Sequence, residues 1–251
     1  MLKKCLMIAS AILFMSTVSA QAENIKANIQ YSPMNIKMKV PCNTATLTAP
    51  VFKLNAEGNV YRGAKLGIHY EGTLGKGDGS FGYGTSPALV NAHITNLSYS
   101  NFELNAKLPL QSEKWANGYT SAGTRENNFY ATLGYKWNSL KSTIESPLMS
   151  KRDKSWEEGN GWGIGLGYDG YFSGKFGMNA LLMYYPSMTS SVGEAPYDIS
   201  SFNSFVYRLG LKYDLAESYS ATFGYEGENH SYKNGLHIDY NGVVFGLEGR
   251  W

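Results

Sequence analysis

Cysteine is scarce in this sequence: Cys5 and Cys42 are the two in 251 residues. Cys5 lies in an N-terminal stretch with the layout of an export signal, so the exported chain keeps Cys42 alone. That excludes an internal disulfide and a cysteine-based metal cluster. Histidine numbers four, with no metal-ligand spacing, and no cofactor is expected. Beyond residue 22 there is no apolar run of the roughly 20 residues that a spanning helix needs. Excess charge is missing too. Lysine and arginine total 22 against 20 carboxylates; removing residues 1–22 takes Lys3 and Lys4 and leaves the two signs equal. A nucleic-acid partner would call for a basic stripe, and there is none.

The N-terminal stretch reads Lys3-Lys4, an apolar run from Leu6 to Val18, then Ala20-Gln21-Ala22 before Glu23. This order of basic, apolar and small residues is that of a cleaved secretory signal. The expected organisation is therefore a signal peptide at 1–22 and one domain at 23–251. Against the scarcities stand 28 glycines, 19 tyrosines and five tryptophans. Glycine exceeds its usual share of about 7%.

The most informative stretch is the last, YNGVVFGLEGRW at residues 240–251. Val243, Phe245, Leu247 and Trp251 share one face of a two-residue period, while Gly242, Gly246, Glu248 and Arg250 occupy the other. The same division recurs along the chain. Ala64, Leu66, Ile68 and Tyr70 alternate with Lys65, Gly67, His69 and Glu71; Trp162, Ile164, Leu166 and Tyr168 alternate with the glycine row Gly161, Gly163, Gly165 and Gly167. Repeated strands with one lipid-compatible face and one small or charged face describe a barrel with a polar interior. Lipid cannot satisfy an open sheet edge, so such a sheet must close.

On these residues the chain resembles the bacterial outer-membrane β-barrels, which end in an aromatic residue on a strand read by the assembly machinery. Tyr240, Gly242, Phe245, Leu247 and Trp251 form the matching assembly signal, displaced four residues from the terminus. The resemblance implies an all-β, antiparallel, up-and-down transmembrane barrel in the cell outer membrane. It also implies both termini in the periplasm, and outer-membrane lipid and the barrel-assembly machinery as partners.

The alternation predicts about twelve strands, with ten as the alternative if the N-terminal segment packs inside. Residues 25–40 break their parity at Ser32-Pro33, which predicts a bulge, a seam or an inserted segment. Residues 75–87, GKGDGSFGYGTSP, read as a mobile surface loop. Short turns are expected at 98–101, 137–140, 170–174 and 214–218. Long external loops are expected at 75–87, 111–127, 149–160, 187–203 and 229–237. Large side chains from the opposite wall are expected to fill the space over the glycine row.

Parity assigns a lumen charge network to Lys65, His69, Glu71, Glu103, Lys107, Lys136, Lys141, Asp169, Lys175, Arg208, Lys212 and Glu226, with Glu228, Glu248 and Arg250 on the same face. Lys136 and Lys141 flank the expected turn at Asn138-Ser139, where Asp169, Glu103 or a bound anion would compensate their repulsion. The function expected is a narrow channel or a surface structural protein, with a small solute or a surface ligand as partner. The alternative is an outer-membrane enzyme, a rim protease or lipid hydrolase using His230 or His237. Outer-membrane lipid deacylases are similar in carrying His and Ser near the C-terminus, but spaced by one, whereas His230 and Ser231 are adjacent. His237 and Asp239 share a face as in the outer-membrane proteases, without an acidic pair facing them. No catalytic residue is therefore assigned.

Overall fold

In the computed structural model the described residues are 23–40, 43–61, 63–74, 77–83, 90–115, 125–146, 149–190, 201–233 and 235–251. Residues 1–22, expected to be a signal peptide, and Cys42 lie outside them. Eleven antiparallel strands form one sheet: β1 (Glu23–Val40), β2 (Asn43–Tyr61), β3 (Ala64–Thr73), β4 (Gly77–Tyr83), β5 (Val90–Trp115), β6 (Arg125–Ser146), β7 (Met149–Tyr171), β8 (Phe176–Ser190), β9 (Ser201–Ala216), β10 (Tyr219–Tyr232) and β11 (His237–Arg250). Sequence neighbours pair throughout except β3 with β4, and β1 pairs with both β2 and β11, which closes the sheet. β3 and β4 are successive parts of one stave between β2 and β5. The barrel therefore has ten staves, the lower of the two expected counts.

Two expected turns are strand interior. β5 runs straight through 98–101 and β6 through 137–140, with Asn101 opposite Asn138 and Glu103 opposite Lys136. Asn and Ser favour turns, but here Asn101 and Asn138 are buried on the inner face. Merging these two pairs of segments converts twelve strands into ten. Trp115 of β5 and Arg125 of β6 then lie at the end that carries the termini, and residues 111–115 and 125–127 of the expected loop are strand. Much of the expected loop 75–87 is strand β4, and much of 149–160 belongs to β7.

The N-terminal segment is a stave of the wall and does not pack inside. It carries no bulge at Ser32-Pro33 either: the pairing of β1 with β2 holds one register from Ile25 to Val40, with Pro33 opposite Pro50. The ladder to β11 reaches the chain end, where Ile25 and Trp251 exchange backbone hydrogen bonds of 2.8 and 2.9 Å. What changes at Ser32-Pro33 is the surroundings. Ile29 and Tyr31 point out and are exposed, while Met34, Ile36 and Met38 point in and are buried; Asn35, Lys37 and Lys39 then take the outer face.

That reversal holds around the barrel. Toward the terminus end the outside is apolar, with Leu166, Leu182, Leu209, Leu211, Phe223, Phe245 and Leu247 exposed. Aromatic residues border this band on both sides. Tyr135 packs against Trp137 and Trp162, and Tyr207 against Tyr225, on the border away from the termini. Phe129 packs on Tyr168 and Phe176 on Tyr213 on the other. An apolar belt between two aromatic girdles is the surface a bilayer selects. Beyond it the outside turns polar and the bore turns apolar: Ile36, Leu47, Val51, Ile94, Leu97, Leu140, Met183, Tyr185, Met188, Phe202 and Ile238 form one buried cluster.

Real bulges lie elsewhere. Asn96 (φ 53°) and Ser187 (φ 54°) take left-handed conformations at the register shifts of β5 and β8. The second shift lets Tyr185 and Met188 both face inward. The glycine row lies beneath these large side chains. A Cβ on Gly163 would come within 2.4 Å of the Tyr185 ring, and Gly161, Gly165 and Gly167 lie under Met188, Met183 and Tyr130. These residues sit on the adjacent strands β8 and β6 rather than on the opposite wall.

Candidate functional site

The inner face of β10 gives a ruler along the bore: Ser220, Thr222, Gly224, Glu226, Glu228, His230 and Tyr232 succeed one another away from the termini. At the terminus end Asp214 accepts hydrogen bonds from Arg250 (2.6 Å), Ser220 (2.6 Å) and Tyr171 (3.1 Å). Glu248 stands 3.6 Å from Arg250. Next comes a ring in which Lys26 (2.8 Å) and Lys212 hold Asp169, and Lys107 (2.5 Å) and Lys65 (3.3 Å) hold Glu57.

Beyond Thr222 lies a second ring. Lys53 reaches Glu226 at 2.7 Å and Glu71 at 3.3 Å, and His69 meets Glu71 at 2.5 Å. Arg208 spans Glu103 (3.4 Å) and Glu226 (3.8 Å). Tyr99 donates to Glu71 at 3.1 Å. Lys53, Glu71 and Glu103 are almost wholly buried. Buried charge is costly unless paired, and each of these has a partner.

The third cluster lies past the apolar belt, which on β10 covers Tyr219 to Tyr225. His230 sits between two carboxylates, 2.6 Å from Glu157 through Nδ1 and against Glu228 through Nε2. Lys136 pairs with Glu228, Ser204 donates to it at 2.7 Å, and Tyr232 donates to Glu157. Phe202 and Tyr240 cover the imidazole at 4.8 and 5.0 Å between ring centres. Burial would push His230 down, but Glu157 and Glu228 outweigh it and raise its pKa to about 9. Burial opposes the Glu228 charge too, yet Lys136 and His230 hold its carboxyl below the usual range. His230 is thus an imidazolium locked between anions, unable to act as a free base at neutral pH.

Ten of the twelve residues assigned to the lumen network point inward: Lys65, His69, Glu71, Glu103, Lys107, Lys136, Asp169, Arg208, Lys212 and Glu226. Two do not. Lys141 lies on the outer face and pairs with Glu158 at 3.1 Å, because β6 makes no turn before it. Lys175 is exposed at the connection of β7 and β8, 6.0 Å over the Tyr213 ring. The ion-pair partner of Lys136 is Glu228 rather than Asp169, with Glu103 opposite it on β5. Sequence reasoning missed Lys26, Lys53, Glu57 and Glu157. Lys53 and Glu57 share parity with Asn55 against Phe52 and Leu54, so that signal was present; Glu157 was hidden in a stretch rich in loop-forming residues. His230 and His237 face opposite sides of the wall, and His237 meets Ser231 at 3.2 Å outside. They do not form one site.

No protein-family model matches the chain, and no curated protein matches it in sequence. Among solved structures, the outer membrane protease OmpT of Escherichia coli superimposes with a TM-score of 0.60 at 13% identity, over 92% of this chain and 97% of OmpT. The fold is that of a bacterial outer-membrane β-barrel. More distant barrels also align. The transport unit of the Escherichia coli autotransporter AIDA-I gives a TM-score of 0.46 at 8% identity, over 90% of each chain. The attachment invasion locus protein Ail of Yersinia pestis gives 0.39 at 10% identity, over 90% of this chain and 99% of Ail. At these identities the likeness is one of fold. Of the residues read as the assembly signal of the outer-membrane barrel, Phe245, Leu247 and Trp251 lie exposed on the belt, whereas Tyr240 and Gly242 face the bore.

Proposed function

We propose that the protein is an integral outer-membrane barrel, exported by removal of residues 1–22, whose bore is closed and whose task is structural or ligand-presenting at the cell surface. The observation that carries this reading is the filling of the bore beyond the belt. Among the described residues, Tyr99, Leu140, Tyr185, Phe202 and Tyr240 are at most 2% exposed, and the buried ion pairs of Lys136 with Glu228 and of His230 with Glu157 lie among them. A hydrated ion would have to part a core packed like a protein interior. The belt supports membrane insertion, and the polar outer face beyond it suits water at the cell exterior, with the termini in the periplasm. The same burial argues against catalysis at His230, because a substrate would have to enter that core. Purified protein in a planar bilayer is expected to give no ion-conducting steps; stable conductance by the intact chain would return the channel reading.

A further inference from the structure

Toward the termini the bore keeps a cavity, and we propose that this part is a binding chamber for a small, uncharged, polyhydroxyl solute. A cavity of about 140 Å³ lies between the first and second ionic rings. At about 10–15 Å³ for one water, it holds on the order of ten waters or a solute of similar size. In the ring nearer the termini the side chains of Lys26, Lys107 and Glu57 are 25%, 19% and 18% exposed and that of Lys212 2%; in the second ring Arg208 and Glu226 keep 14%, and Lys53 and Glu71 keep 2% and 5%. Beyond the second ring the buried apolar cluster fills the bore, so access is from the terminus end.

The polar part of the wall between the rings is made of amides and a hydroxyl, Asn28, Gln30, Asn55, Asn105, Asn179 and Thr222, beside the apolar Leu181 and Val244. Asn55 donates to Gln30 and Asn105 to Glu103, each at 3.2 Å. That leaves Asn28 Oδ1, Asn105 Oδ1 and Thr222 Oγ without a protein partner, although Asn28 and Thr222 are 8% and 7% exposed. Buried carbonyl oxygens need donors, and a polyol supplies them while accepting in return. Each charged side chain at the chamber is already in an ion pair: Asp169 holds Lys26 and Lys212, Glu57 holds Lys107 and Lys65, Arg208 spans Glu103 and Glu226, and Glu248 stands by Arg250. An ionic ligand would have to break one of these pairs, which is costly in a low dielectric. Charges already held in pairs, beside free acceptors, select a neutral donor-rich molecule over an ion.

The test uses erythritol as the probe and glycine betaine, of similar size but zwitterionic, as the control, with the full exported chain in detergent micelles. Saturation transfer from protein to erythritol is expected, with intermolecular contacts to the Thr222 methyl group in methyl-labelled protein. The isosteric changes Asn28→Leu and Thr222→Val should each weaken erythritol binding by about tenfold. Contacts to Thr222 in the unmodified protein keep the test valid even if a variant fails to fold. Water contacts alone at Thr222, or betaine binding in preference to erythritol, would overturn the proposal. Because the assay needs neither a membrane nor a closed bore, its failure and that of the reading above are separable.

Discussion

At the residue scale, the barrel shows why parity alone misplaces a charge. Lys136 and Lys141 differ by an odd number of residues, so an uninterrupted strand must send them to opposite faces. Reading Asn138-Ser139 as a turn reset the parity and drew Lys141 inward, whereas it pairs with Glu158 outside. No local feature separates a turn Asn from a lumen-facing Asn; the difference is the burial that the closed barrel imposes. His230 was equally illegible, since its partner Glu157 is 73 residues away. Its folded pKa of about 9 lies above the ordinary histidine value of 6.5. The stabilisation from this pairing is therefore full below about pH 6.5 and lost as pH rises through 9, an amount on the order of 3 kcal/mol. Glu228, held low, adds stability above the ordinary carboxylate range that is lost as pH falls. Unfolding in detergent, followed by tryptophan fluorescence, is expected to show lower stability at pH 10 than at pH 7. His230→Gln should destabilise the pH 7 state by about 3–5 kcal/mol and flatten the loss between pH 7 and 10. An unchanged alkaline slope in that variant would refute the assignment.

At the element scale, strand length carries the lesson. β5 and β6 span 26 and 22 residues, well beyond the 9–11 that cross a bilayer. A reader expecting bilayer-length strands cuts each of them in two. The belt itself was legible, because Trp162, Ile164, Leu166 and Tyr168 alternate without interruption. The inverted part was not, because Met34, Ile36 and Met38 read as a parity break when the strand has merely left lipid for water. A Leu166→Arg change places a cation on the belt at a cost of about 2–4 kcal/mol near the midplane. It should reduce assembled, heat-modifiable protein; assembly at the unmodified level would contradict the outward placement. Gly163→Ala brings a methyl group against the buried Tyr185 ring. It is expected to destabilise by about 1–3 kcal/mol, an effect that Tyr185→Leu should partly relieve in a double-mutant cycle.

At the scale of the whole molecule, one continuous sheet serves two solvents. Its terminus-end part has lipid-compatible residues outside and ion pairs around a cavity inside; its far part has polar residues outside and an apolar core inside. Closure was readable from the sequence, since a two-faced sheet of this composition cannot leave an edge in lipid. The dry core was not, because it is assembled from residues scattered between Met34 and Tyr240. β1 crosses both regimes in a single register, so it carries the most direct test. In a Cys42→Ser background, nitroxides placed singly at positions 29, 31, 35, 36 and 37 of the reconstituted barrel report contact with oxygen in lipid and with a nickel chelate in water. The account requires oxygen contact at 29 and 31, chelate contact at 35 and 37, and neither at 36. Chelate contact at 36 would mean an open bore, and oxygen contact at 35 and 37 would mean that the belt extends over the whole strand; either result contradicts the closed, two-solvent barrel.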